Sequence, residues 1–229
     1  MNIPVVRILF GDHNSGTLLE GIHKGVNFDK SGAWDSVAPV SVHWMVFGSE
    51  LSKILIHLGV NSKIVHLLSD KSFNHPEGES GWWNKTKLIR LAYDVLQTRD
   101  ILFLDMDARL RRSIPSRLEK ILHRDCNEGS TDLLLPVIRI QYPKRAMLAR
   151  QPECEDKHIC TTTNMFYCRD KHLWDDVLST YPVVRAIRGN MEAFDTRHAW
   201  DCKRIDDEEV LTYYLDKRYG VLSKKNKWL

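Results

Sequence analysis

No cysteine precedes Cys126, and none of the five present (Cys126, Cys154, Cys160, Cys168, Cys202) forms a Cys-x-x-Cys pair. The odd count and this spacing argue against a cysteine-based zinc site. One disulfide, such as Cys154–Cys160, stays open, and scattered reduced thiols are the simpler reading. Also missing is any apolar run near the ~20 residues that span a bilayer. No signal peptide is expected, since the sequence runs early into the strand-like Val5-Val6-Arg7-Ile8-Leu9-Phe10. A large excess of charge of one sign is missing too: the net charge of +3 is too small to point to nucleic acid, and a pI near 8.5 suits an anionic small ligand equally well. Internal repeats and low-complexity stretches are absent.

The 229 residues, 43% hydrophobic and 28% charged, suit one α/β domain. Residues 4–10 read as a strand ending at Gly11-Asp12. Four glycines in 12–37 (Gly16, Gly21, Gly25, Gly32) suggest a loop with a short helix at most. A strand follows over 40–47, then a helix capped by Ser49, bearing Leu51, Ile54, Leu55 and Leu58 and stopped by Gly59. Ser62–Leu68 reads as a strand and 69–82 as a polar loop. Leu88, Leu91, Ala92, Val95 and Leu96 form a helix stripe. Ile101-Leu102-Phe103-Leu104 then reads as a buried parallel strand. Leu118, Ile121 and Leu122 suggest another helix, Leu133–Ile140 and Thr161–Cys168 strands, and 141–160 irregular chain. A helix through Leu173, Trp174, Val177, Leu178 and Tyr181 is expected to stop at Pro182. A last helix carries Val210, Leu211, Tyr214 and Leu215. Strands alternating with helices predict a mostly parallel sheet flanked by helices.

In such sheets ligands bind outside the carboxyl ends of the strands. Asp105-Met106-Asp107 stands there, directly after the apolar strand. In an extended turn, residues two apart point to one side. Two hard carboxylates facing one point suit Mg²⁺ or Mn²⁺, with diphosphate oxygens and waters completing the shell. A cation there would neutralise a departing nucleoside diphosphate. As a bare tripeptide Asp-x-Asp is common. Its weight comes from the strand before it and the helix with basic residues before that.

Trp83-Asn84-Lys85-Thr86-Lys87-Leu88-Ile89-Arg90-Leu91, followed by Ile101-Leu102-Phe103-Leu104-Asp105-Met106-Asp107-Ala108, resembles the GT-A nucleotide-diphospho-sugar transferases. The resemblance implies a GT-A (Rossmann-like) fold in a single domain, with residues 1–107 as the nucleotide-sugar half and 108–229 as the acceptor side. It implies that Asp105 and Asp107 hold the metal and that Asp105 also meets the donor. Asn164-Met165-Phe166 resembles a family strand with an Asn near donor and acceptor. Asp206-Asp207-Glu208-Glu209-Val210-Leu211 resembles the acidic segment heading a late helix. The implied activity is transfer of a sugar, with a UDP-sugar as the family's usual donor, to a glycan, protein or small-molecule hydroxyl. Glycogenin-like members have a late metal-binding His in a Lys-Pro-Trp context. Here the chain ends Lys225-Asn226-Lys227-Trp228, and His198, the nearest histidine, reads as a surface residue.

Other candidates have bland explanations beside the functional ones. Lys85, on the apolar stripe at a helix start, could reach a phosphate or snorkel outward. Lys87 and Arg90 fall on the polar face. Trp82 and Trp83 could stack on a sugar, but packing is the commoner role. Asp207 or Glu208 could act as general base, while Asp206 and Glu209 have capping-box spacing. Asp12 and Asp70 could touch the nucleotide or simply form turns. The arginines from Arg109 to Arg124 read as a solvated face. The sequon Asn84-Lys85-Thr86 falls in the site segment, which points to a cytoplasmic protein; a soluble catalytic domain freed of its membrane anchor is the other reading. Two other readings stand: a haloacid-dehalogenase-like phosphatase, disfavoured by Arg109 and by the motif's late position, and a non-catalytic sugar-nucleotide-binding module.

Overall fold

The computed structural model describes residues 3–34, 40–68, 83–109, 133–134, 137–140, 158–161, 165–168, 171–191, 210–211 and 214. The chain divides into two compact units interleaved in sequence. One comprises Met1–Lys71, Leu88–Leu134 and Asn164–Lys171; the other comprises Ser72–Lys87, Leu135–Thr163 and His172–Leu229.

The first unit holds a mixed, mostly parallel sheet. Its strands are β1 (Ile3–Leu9), β2 (Val40–Phe47), β3 (Val65–Leu68), β4 (Ile101–Leu104), β5 (Leu133–Leu134) and β8 (Met165–Cys168), in the order β3-β2-β1-β4-β8-β5. β1 pairs in parallel with β2 and with β4, and β2 pairs in parallel with β3. β8 runs antiparallel to β4 and β5. This is the α/β class expected from the sequence. The second unit holds the antiparallel pair β6 (Val137–Ile140) and β7 (His158–Thr161).

Helix α1 (Gly16–Lys30) links β1 to β2, and α2 (Ser49–His57) links β2 to β3. Both pack on one face: Ile22 and Val26 of α1 and Leu51 and Leu55 of α2 join Leu9, Trp44, Val46 and Val60 in a single core cluster. Each large apolar side chain so buried contributes on the order of 2 kcal/mol. Along the same face Val5, Leu102, Leu104 and Tyr167 pack with Trp34. After β3 the chain returns past β2 and β1 to form β4, through α3 (Trp83–Leu96). The strand order therefore reverses between β1 and β4, which makes that point the sheet's switch point.

Several sequence expectations are corrected. Residues 16–30 form a full helix rather than a loop, because two of the glycines there are packing residues. Gly48, not Ser49, caps α2, and it offers no side-chain cap. Ser62–Ile64 is a single 3₁₀ turn before β3. Leu133–Ile140 is split between two sheets, and His158–Thr161 is a strand separate from β8. Helix α4 (Lys171–Met191) runs through Pro182. That proline is exposed, so water can satisfy the Leu178 carbonyl deprived of its donor. The helix expected near Leu118 lies outside the described residues. Val210, Leu211 and Tyr214 are helical and buried as expected, and the Tyr214 hydroxyl donates to Asp176 Oδ2 at 2.9 Å. No helix among the described residues is long and apolar enough to cross a membrane.

A histidine pair marks β2 and β3. His43 Nδ1 lies 3.1 Å from His66 Nε2, and His43 Nε2 lies 3.0 Å from Ser41 Oγ. Partial burial pushes both pKa values below the ordinary 6.5, and for His43 the charge of His66 adds to it. The folded state thus binds protons less readily than the unfolded chain. The pair's contribution is intact above about pH 6.5 and is lost as pH falls below that value. We expect the urea midpoint to drop between pH 7.5 and pH 5.5, and to drop less in His43→Gln/His66→Gln. An equal drop in the double variant would remove the pair as the cause.

Candidate functional site

β1 and β4 end side by side, with Arg7 in register with Leu104. Beyond Leu104 the chain turns at once: Ala108 N–H donates to the Asp105 carbonyl at 3.0 Å, closing a tight turn over Asp105–Ala108. The turn expected for Asp105-Met106-Asp107 is there, but it is a hydrogen-bonded β-turn rather than an extended one, so alternation does not set the direction of its carboxylates. Asp105 is half-buried and Asp107 is exposed. Among the described residues no cluster of three His, Cys, Asp or Glu could hold a metal alone. The two aspartates offer hard oxygen donors without a closed protein cage. Such hard carboxylate oxygens fit a hard divalent ion such as Mg²⁺ or Mn²⁺.

The turn is gripped from below by a buried ion pair. Arg7 points into the core face of β1, its side chain fully buried. Its Nε donates to both carboxylate oxygens of Asp29, at 3.1 and 2.9 Å, and its Nη2 donates to Asp29 Oδ1 at 2.8 Å. Trp34 Nε1 donates to the same oxygen at 3.2 Å. The guanidinium also lies over the rings of Phe28 and Trp44, 5.8 and 5.6 Å from their centroids. The remaining nitrogen, Nη1, donates to the carbonyls of Asp105 (2.6 Å) and Ala108 (3.1 Å), with that of Met106 at 3.4 Å. A buried cation is tolerated only when paired and hydrogen-bonded, and here the planar fork meets both needs.

From the side, α1 presents two glycines one helical turn apart. A methyl group added at Gly25 would lie 1.9 Å from the Met106 carbonyl oxygen, and one at Gly21 would lie 2.9 Å from Met106 Cε and 3.5 Å from Asp107 Cβ. Only glycine lets the helix backbone approach the turn this closely. Met106 itself packs against the α1–α2 core cluster. The two aspartates thus stand on a turn fixed on one side by Arg7 and on another by α1.

No family model matches the chain, and no curated protein matches it in sequence. Among solved structures, mouse xyloside xylosyltransferase 1 in its apo form aligns with a TM-score of 0.53 at 13% identity, over 96% of this chain and 83% of that one. The two chains share a fold. Inositol-1-phosphate CTP transferase from T. maritima (TM-score 0.47, 11% identity, 94% and 82% covered) and a CMP:2-keto-3-deoxy-manno-octonic acid synthetase complexed with CTP (0.44, 8%, 84% and 85%) align less closely. The shared fold does not rest on either of these two.

Within that fold the expected site residues separate. Asp12 follows β1 at the same sheet edge and is exposed. Its Oδ1 accepts from Asn14 N–H at 3.0 Å, so it forms the Asx turn that leads into α1 behind Ser15. Lys85 is buried in the first turns of α3 rather than snorkelling to solvent. Arg90 is half-buried and pairs with Asp94 at 2.7 Å, instead of standing in solvent. Asp70, Asn164, Asp207, Glu208, His198 and Trp82 lie outside the described residues. Sequence reasoning missed Arg7, Asp29, Gly21 and Gly25. Signals for two of them exist. Arg7 is a lone charge inside an apolar strand, and Asp29 is an acid in a helix's last turn, where the helix dipole disfavours it.

Proposed function

We propose that this protein is a metal-dependent glycosyltransferase that takes a sugar from a nucleotide-diphosphate sugar, with a UDP-sugar as the family's usual donor, to an acceptor hydroxyl. The observation that carries this reading is the Asp105–Ala108 turn at the switch point between β1 and β4, where ligands bind in open α/β sheets. The fold shared with an enzyme named for xylosyl transfer supports it. In this reading Asp105 and Asp107 hold Mn²⁺ or Mg²⁺, which supplies charge neutralisation for the leaving diphosphate. Asp12 and Asp70 meet the nucleotide, and Lys85 assists at the phosphates. Residues 1–107 serve the donor. Asn164 meets the donor near where the acceptor enters, and Asp207 or Glu208 takes the acceptor's proton or orients the acceptor.

Thermal unfolding with UDP or GDP, with and without Mn²⁺, tests this. A nucleotide present at 100 times its Kd stabilises by about 2.7 kcal/mol. For a chain of this size that raises Tm by roughly 5–10 °C. We expect that rise only when Mn²⁺ and a nucleoside diphosphate are present together. No shift with either nucleotide, or one indifferent to metal, would overturn the metal-dependent reading.

A further inference from the structure

We infer that Arg7 is a positioning residue for the metal and donor site, acting through the backbone of the turn that carries Asp105 and Asp107. The inference rests on the proposed function and adds to it a residue 98 positions from the motif. Three features point to it. The guanidinium is fully buried, so it reaches no solvent or substrate itself. Its charge is matched by the two-pronged bond to Asp29, leaving Nη1 to serve the turn. That nitrogen then engages the carbonyls of Asp105 and Ala108, the two ends of the turn, with Met106 O within 3.4 Å. A carbonyl held inward at each end fixes the path of the chain between them, and with it the bases of both carboxylate side chains. Lysine could not substitute. A single ammonium on a flexible stem cannot bond Asp29 and the turn at once in a fixed plane.

The test is Mn²⁺ uptake in the presence of UDP, followed by electron paramagnetic resonance of the free ion, at a temperature where circular dichroism shows each variant folded. Outer-shell residues of this kind typically alter metal affinity by about 10- to 100-fold, and we expect a loss in that range for Arg7→Lys. Arg7→Met/Asp29→Leu is the decisive companion. Exchanging a buried ion pair for apolar side chains commonly preserves the fold, yet here it removes the donor to the turn. We expect that variant to unfold near the wild-type temperature and still lose affinity by a similar factor. A purely structural pair would change Tm and leave the affinity of the folded protein alone.

Wild-type affinity in either folded variant overturns the inference while leaving the proposed function standing. Failure of the wild-type chain to take up Mn²⁺ with UDP overturns the proposed function itself. A measurement on the unaltered chain decides the matter if neither variant folds. The Arg7 Nε–H resonance should move when Mg²⁺ and UDP are added together, and a resonance that stays fixed while binding occurs refutes the role.

Discussion

Asp107→Ala is expected to reduce sugar transfer by about 10³-fold or more, the scale on which loss of a preorganised electrostatic contact acts on a developing anion. Stability should hardly change. Asp107 is exposed, and substitutions at such positions usually stay within about ±0.5 kcal/mol. The measurement is a nucleotide-release assay at saturating donor and Mn²⁺, run beside a thermal melt. A large activity loss with an unchanged melt supports a role in the chemistry. A large shift in melting would instead assign Asp107 to the fold, and retained turnover would remove it from the metal site. Asp105 cannot be tested as cleanly, because it is half-buried and its carbonyl accepts both Arg7 Nη1 and Ala108 N–H.

Gly25→Ala is expected to damage stability and activity together. The new methyl would sit 1.9 Å from the Met106 carbonyl oxygen, a backbone atom that moves only if the turn moves. Forcing such a contact typically costs about 1–3 kcal/mol. The melting temperature should fall by roughly 3–10 °C. A displacement of the turn by about 1 Å is enough to cost on the order of 100-fold in turnover. Gly16→Ala provides the contrast. Nothing lies within 4 Å of its added methyl, and its φ is not in the left-handed region, so it should stabilise by about 0.4–1 kcal/mol. Parallel melts and assays of both variants check the pair. Equal behaviour would show that α1 does not define the turn.

The contrast between these glycines also explains what could be read in the sequence. β1, β2 and β4 were legible as short apolar runs, and α2 from the helical spacing of its leucines and isoleucine and from Gly59, whose φ of +77° suits a helix stop. α1 was not legible. Glycine's low helix propensity argued for a loop, while the reason for Gly21 and Gly25, a turn 80 residues onward, exists only in three dimensions. The same holds for Pro182, which reads as a helix stop until its exposure is known. The strand end that carries Asp105-Met106-Asp107 was visible from composition and order alone, and its place at the sheet's carboxyl edge stands. The conformation of the motif was not visible. The turn was read as extended, whereas the Arg7 side chain and the Ala108 amide hold it closed. Arg7 and Asp29, 22 residues apart, are each an oddity in sequence and become a pair only when β1 and α1 pack.

The most direct test is a crystal of the wild-type protein grown with Mn²⁺ and UDP, with an anomalous difference map calculated at the manganese edge. The proposed site requires a peak bridging the Asp105 and Asp107 carboxylates and the diphosphate oxygens, at the carboxyl end of β4. A manganese peak elsewhere on the nucleotide, or a diphosphate bound at that edge with no metal against either aspartate, would contradict it.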